Sequence, residues 1–156
     1  MIKAVGGITG KEVRANKIAK NIEQGFNQLK TQNSKLQNSK PKTIYLIWKD
    51  PYITIGGDTF INDMLTQCGF QNIFVNEKRY PQLSSRQLSS VNCKLVLLPS
   101  EPYPFKKKHI ATVKKLFPNS KLLLVDGEMF SWYGSRLQYA PDYFKQLHQY
   151  LKNTAF

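Results

Sequence analysis

Five carboxylates of this 156-residue sequence lie in short segments that follow apolar runs: Asp50, Asp58, Glu101, Asp126 and Glu128. Paired carboxylates can hold Mg²⁺ or act as general acid and base. Asp58 and Asp126 also have simpler uses, as a helix N-cap and as the stabiliser of a turn. The other three define one hypothesis, a metal-dependent enzyme. The sequence contains no Walker loop, nucleophile elbow or HExxH motif to support it.

The remaining chemically active residues predict no catalytic or metal site and no cofactor. His109 and His148 each lie within a predicted helix, and each is interpreted as a surface residue rather than a catalytic base. His109 is also expected to have no part in ligand binding. Gly56 and Gly57 open a helix and could present backbone N–H groups to an anion, although two glycines are a weak signal. The cysteines, Cys68 and Cys93, lack metal-ligand spacing and are predicted to be buried thiols.

Aromatic residues are concentrated in the same segments. Phe105 and Phe130 are predicted to pack these segments against the sheet, and Trp48 ends a strand and could equally belong to the core. Four further aromatic residues lie next to Pro or Gly in predicted exposed turns: Tyr52, Tyr103, Trp132 and Tyr133. Such a rim suits a large, partly apolar ligand. The predicted ligand contacts are Trp48, Tyr52, Tyr103, Trp132 and Tyr133.

The net charge of +13 raises a second alternative, a basic nucleic-acid-binding module that uses Lys106–Lys108 and the N-terminal helix. The distribution of charge weakens that alternative. Residues 1–42 contain nine basic and two acidic residues, whereas the rest of the chain contains fourteen and eight. The sequence contains no zinc-finger, KH or RNP motif. A solvated basic surface is the favoured interpretation.

The elements that must position these residues alternate between short apolar strands and amphipathic helices. Because strands separated by helices form parallel sheets covered on both faces, the sequence predicts an α/β fold. This fold is a three-layer parallel sheet of at least four strands with helices on both faces, preceded by one long N-terminal helix. The predicted strands are Thr43–Trp48, Ile73–Val75, Leu95–Leu98 and Lys121–Val125.

The long helix is predicted over Lys11–Leu29 from its apolar spacing. Thr9 is its predicted N-cap, with Glu12 completing a capping box, and Ile8 and Val13 occupy the staple positions. A polar segment, TQNSKLQNSKPK, follows the helix. The domain prediction is therefore a helix at 1–31, a linker at 32–42 and an α/β lobe at 43–156.

Four segments together resemble class III periplasmic substrate-binding proteins, the cobalamin, haem and ferric-siderophore receptors of ABC importers. In these proteins the first βαβ unit of the C-terminal lobe resembles IYLIWKDPYITIGGDTFINDMLTQCGFQNIF (Ile44–Phe74). The next strand and turn resemble LVLLPSEPYPF (Leu95–Phe105), and the last strand and turn resemble LLLVDGEMFSWYGSRL (Leu122–Leu137). The helix that bridges the two lobes is similar to GGITGKEVRANKIAKNI (Gly6–Ile22).

The resemblance implies binding and delivery of cobalamin or a ferric chelate, without enzymatic activity. It also implies a partner, an inner-membrane ABC permease, which would dock on Glu101 or, as the second candidate, Glu128. The full-length parent would be periplasmic or attached to the cell envelope, whereas no export signal and no N-terminal lobe are evident in this sequence. The bridging helix is then expected to expose an apolar strip or to pair with a second copy, and nucleic acid is not an expected partner.

Overall fold

The computed structural model describes residues 1–34 and 40–154. The chain divides into two compact units, one comprising Met1–Gln37 and Trp132–Phe156, the other comprising Asn38–Ser131. None of the helices in the described ranges is both long enough and apolar enough to cross a membrane.

The Asn38–Ser131 unit is an α/β sandwich. Its strands are β1 (Lys42–Tyr45), β2 (Tyr52–Ile53), β3 (Gln71–Asn72), β4 (Gln82–Leu83), β5 (Leu95–Pro99) and β6 (Lys121–Val125). In the same chain order, the helices of both units are α1 (Ile2–Ile8), α2 (Glu12–Ser34), α3 (Phe60–Gln67), α4 (Ser85–Ser90), α5 (Lys107–Leu116), α6 (Glu128–Ser131) and α7 (Ala140–Asn153).

Four strands form one parallel sheet in the order β3-β1-β5-β6. After β1 the chain passes through α3 to β3, on one side of the β1–β5 pair, and after β5 it passes through α5 to β6, on the opposite side. Since such crossovers are right-handed, α3 and α5 cover opposite faces of the sheet. The predicted α/β fold, with at least four parallel strands and helices on both faces, is confirmed.

Alternation along the strands supplies both faces with apolar side chains. Ile44 and Val96 pair across β1 and β5 and belong to the core that also contains Val113 of α5. On the other face, the rings of Tyr45 and Phe130 pack with their centroids 5.3 Å apart. Both rings are fully buried, because strands covered on two faces must be apolar on both.

Some predicted boundaries in this unit are wrong. The N-cap of α3 is Thr59, whose Oγ1 accepts a hydrogen bond from Asn62 N at 3.2 Å, and not Asp58. The second strand lies at Gln71–Asn72 and not at Ile73–Val75. The antiparallel β2–β4 pair was not predicted, since two-residue strands carry too little periodicity to be seen in a sequence.

The other unit contains α1, α2, α7 and a 3-10 helix at Gly134–Gln138. The predicted helix over Lys11–Leu29 corresponds to α2, but its predicted N-cap, Thr9, is wrong. Thr9 ends α1, and its Oγ1 donates a hydrogen bond to Val5 O at 2.8 Å. Ile8 and Val13 do not form a staple, because they are 87% and 86% exposed.

The predicted linker at 32–42 begins as helix, since α2 continues to Ser34. Residues 35–39 lie outside the described part of the chain. The 3-10 helix and α7 both contact α2, so the C-terminal segment groups with the N-terminal helices. The domain boundary predicted at residue 43 did not anticipate this grouping, because contacts distant in sequence leave no local signal.

Gly6 allows α1 and α2 to pack closely. A Cβ atom added to Gly6 would lie 2.3 Å from the Cβ atom of Ala15, whereas one added to Gly7 would meet only Glu12 Oε1, at 3.9 Å. Gly6 is buried and Gly7 is exposed. The glycine pair therefore provides a matched test of helix packing.

We predict that Gly7→Ala stabilises α1 by about 0.5–1 kcal/mol, because alanine favours the helix. Gly6→Ala carries the same propensity gain but should destabilise the helix pair by about 1–3 kcal/mol through overpacking. Hydrogen exchange of the α1 amides should be slower in the first variant and faster in the second. Equal protection in both variants would contradict this packing.

Candidate functional site

Trp48 and Tyr103 follow neighbouring parallel strands at the point where the strand order of the sheet reverses. Ligands of open α/β sheets bind beyond the carboxyl ends of strands at such a point. The N–H of Tyr103 donates to the carbonyl of Ile47 at 3.3 Å, and this bond holds the two loops together. The Trp48 and Tyr103 rings contact edge to face, with centroids 5.5 Å apart. Trp48 is 40% exposed and offers an aromatic surface to solvent. Tyr103, predicted to lie on an exposed turn, is instead half-buried and packs against the apolar core.

The loop that carries Trp48 is a tight reversal. Ile53 N donates to Trp48 O at 3.2 Å, and Ile47 N donates to Ile53 O at 2.9 Å. Asp50 takes a left-handed conformation, with φ of 61°, and its carboxylate pairs with the ammonium of Lys49. This hydrogen bond raises the pKa of Lys49. Lys49 therefore remains a cation beside Trp48.

Tyr52 does not lie on an exposed turn, contrary to the prediction. It is 8% exposed, pairs with Leu83 through β2 and β4, and belongs to the apolar core. Burial raises the pKa of its hydroxyl. Within this arrangement Tyr52 supports the Trp48 loop from the core side.

His109 also belongs to this region, although the sequence predicted no role for it. Its Nδ1 accepts a hydrogen bond from Lys106 N at 2.9 Å, and its Nε2 lies 3.5 Å from the Tyr103 hydroxyl. The His109 and Tyr103 ring centroids are 5.4 Å apart. A usable signal was its position as the third residue of α5, from which a side chain can fold back to the N-cap N–H.

The charge state of His109 follows from its surroundings. Desolvation lowers the pKa of His109, and the nearby Lys108, Lys49 and Lys106 lower it further. Because Nδ1 accepts a backbone N–H bond, the proton of the neutral ring resides on Nε2. The ring therefore presents an N–H donor toward Tyr103.

Four other aromatic residues have the exposure that was predicted. Phe105 and Phe130 are buried, at 4% and 0% exposure, and pack their segments against the sheet. Trp132 and Tyr133 belong to the other compact unit, where they are 48% and 63% exposed. Their role as ligand contacts remains a prediction.

Three carboxylates of this unit, Glu101, Asp126 and Asp58, accept hydrogen bonds within it. Ser131 Oγ donates to Glu101 Oε1 at 2.6 Å. Asp126 Oδ1 accepts from Glu128 N at 3.0 Å, which confirms its predicted role in the turn. Asp58 Oδ1 accepts from Arg79 N at 2.5 Å. Within residues 1–34 and 40–154, no three acidic, histidine or cysteine side chains form a group that could hold a metal ion.

Gly56 and Gly57 do not form the anion-binding site that the sequence suggested. Gly56 N donates to Arg79 O at 2.7 Å, and Gly57 N donates to Glu77 O at 2.9 Å. A Cβ atom on Gly57 would lie 2.0 Å from Val75 O, so close approach of two backbones explains the glycine.

The two thiols are confirmed as buried and unbridged. Burial raises the pKa of both Cys68 and Cys93, which keeps them protonated and unreactive at neutral pH.

We predict that His109 titrates below its ordinary pKa of 6.5. Lys108→Met should raise this pKa because it removes a neighbouring cation, and Lys115→Met, at the far end of α5, should leave it unchanged. NMR titration of the ring carbons measures both. As pH falls through 6.5, the unfolded chain takes up the proton before the folded chain, so this group lowers stability there. A normal or raised pKa would contradict the arrangement.

The fold is shared with solved structures of low sequence identity. A possible iron-binding (periplasmic solute-binding) protein from Staphylococcus epidermidis matches with a TM-score of 0.75 and 22% identity, over 95% of this chain and 58% of that one. The periplasmic vitamin B12 binding protein of Vibrio cholerae gives 0.76 and 20%, over 97% and 59%. A periplasmic heme binding protein from Pseudomonas aeruginosa gives 0.77 and 19%, over 99% and 59%.

The chain thus spans about three fifths of the length of these structures. Among curated proteins, none matches this sequence significantly. The sequence model of the periplasmic binding protein family matches residues 1–115, which is most of the chain. The chain therefore belongs to the periplasmic binding protein family, as its sequence motifs predicted.

Proposed function

We propose that this chain is part of the substrate-binding component of an ABC importer for a corrinoid or an iron chelate, and that it acts by binding and delivery. The observation that carries this proposal is the contact between Trp48, which is 40% exposed, and the half-buried Tyr103 at the point where the strand order of the sheet reverses. Family membership and the ligands named for the structurally similar proteins support it. On this proposal the chain is not an enzyme, and its parent works in the periplasm or cell envelope.

Trp48 and Tyr103 are the proposed ligand contacts of the α/β unit. His109 joins them because it packs against Tyr103, and Tyr52 acts from beneath as support. Trp132 and Tyr133 are the proposed contacts of the other unit, where both are exposed.

The proposed macromolecular partner is an inner-membrane permease. Glu101 remains the first candidate for docking and Glu128 the second, and both are half-buried. The hydrogen bond from Ser131 holds the Glu101 carboxylate in one orientation, which favours specific pairing with a basic residue. The run Lys106–Lys108 opens α5 beside His109, so we assign its charge to the ligand site and propose no nucleic-acid partner.

Substitution of the aromatic pair tests the ligand site. Trp48→Ala and Tyr103→Ala should each weaken binding about tenfold or more, because each removes a large apolar contact. Calorimetric titration with aquocobalamin, haemin and a panel of ferric siderophores measures this. Tyr150→Ala, at an exposed tyrosine of α7, is the control and should bind as the parent does. The absence of binding to every ligand would contradict the proposed function.

We also propose that the exposed apolar residues of α1 and early α2 pair with a second copy of the chain. Val5, Ile8 and Val13 are 53%, 87% and 86% exposed, and Ile18, Ile22 and Phe26 are half-buried. Exposed apolar patches of this kind promote association.

Sedimentation velocity should therefore show a sedimentation coefficient that rises with concentration. The combined substitutions Val5→Ser, Ile8→Ser and Val13→Ser should abolish this rise. Val75→Ser, at a valine of the other unit that is 47% exposed, should not. A monomer at all concentrations would contradict self-association.

A further inference from the structure

The proposed function does not specify the charge of the ligand that binds at the corner formed by Trp48, Lys49, Tyr103 and His109. We propose that its ligand is an anionic chelate that presents negatively charged oxygen atoms to Lys49, Tyr103 and His109. This inference rests on the proposed function and narrows its ligand class. Neutral and cationic ligands, cobalamin among them, are then the poorer ligands.

The first support is the donor character of His109. The Lys106 N–H occupies Nδ1, so the ring's acceptor nitrogen is already bonded within the protein. Nε2 therefore carries the proton and points toward the Tyr103 hydroxyl, 3.5 Å away. An imidazole N–H, a phenol O–H and an ammonium group all donate hydrogen bonds. Their natural complement is a group that only accepts, and anionic oxygen is the strongest such acceptor.

The second support is the local excess of positive charge. Lys49, Lys106 and Lys108 all lie close enough to His109 to lower its pKa. The Asp50 carboxylate opposes them and pairs with Lys49. Three ammonium groups against one carboxylate leave the corner cationic. A cationic ligand would be repelled there, whereas an anionic one would be attracted.

The third support is the fixed position of these groups. The Lys49 side chain is 18% exposed and the Asp50 side chain 74%, so the lysine side chain lies against the protein while its partner faces water. The Tyr103 N–H bond to Ile47 fixes one loop, and the His109 bond to Lys106 fixes the start of α5. Donors held in place before binding cost less conformational entropy when a ligand arrives.

The test compares ligands that share a metal and differ in charge. Calorimetric titration uses the trianionic iron(III) tris-catecholate complex, a neutral iron(III) tris-hydroxamate and its cationic, amine-bearing counterpart. We expect the trianion to bind at least about tenfold more tightly than the neutral complex. The difference should shrink between about 0.05 M and about 0.5 M NaCl, because salt screens exposed charges.

Substitutions identify which residues cause the preference for the trianionic complex. Lys49→Met and Lys108→Met should each weaken trianion binding several-fold and leave the neutral complex unaffected, and Lys49→Arg should restore most of the loss. Lys115→Met, on α5 but at its other end, should change neither. Equal or tighter binding of the neutral or cationic complex, or insensitivity to salt, would overturn this inference alone. Failure of these three complexes, haemin and aquocobalamin to bind at all would overturn the proposed function itself.

Discussion

The parallel pairing of β1 with β5 is the constraint on which the rest of the α/β unit depends. Its ladder runs from Thr43–Leu95 to Tyr45–Leu97 and continues beyond the strands through the bond from Leu46 N to Leu97 O. Because the connections leave this pair in opposite directions, the loops after β1 and β5 open a crevice between them. The contact between Trp48 and Tyr103 is the outcome of that topology.

The start of α5 shows how local helix chemistry shapes a binding surface. A helix leaves its first N–H groups without partners inside the helix, and here the His109 ring satisfies the N–H of Lys106. The same bond fixes the ring tautomer and orients Nε2 toward the Tyr103 hydroxyl. This one hydrogen bond thus caps the start of α5 and makes His109 a hydrogen-bond donor toward Tyr103.

The elements with strong periodicity were predictable from sequence, and the residues whose positions depend on distant partners were not. Lys121–Val125 forms a strand with the predicted bounds, since an apolar run between turn residues has little alternative. The exposure of Trp132 and Tyr133 was also predicted. Tyr52 was misjudged because its burial depends on Leu83, thirty-one positions later. His109 was missed because a lone histidine in a basic helix is usually solvated.

The sequence contains two tryptophans, and the division of the chain places one in each compact unit. Trp48 lies in the α/β unit at 40% exposure, and Trp132 lies in the helical unit at 48%. Each unit therefore contains its own intrinsic fluorophore in a partly aqueous environment. Replacing either indole with phenylalanine would leave an emission signal that belongs to one unit, so the unfolding of the two units can be followed separately without any added label.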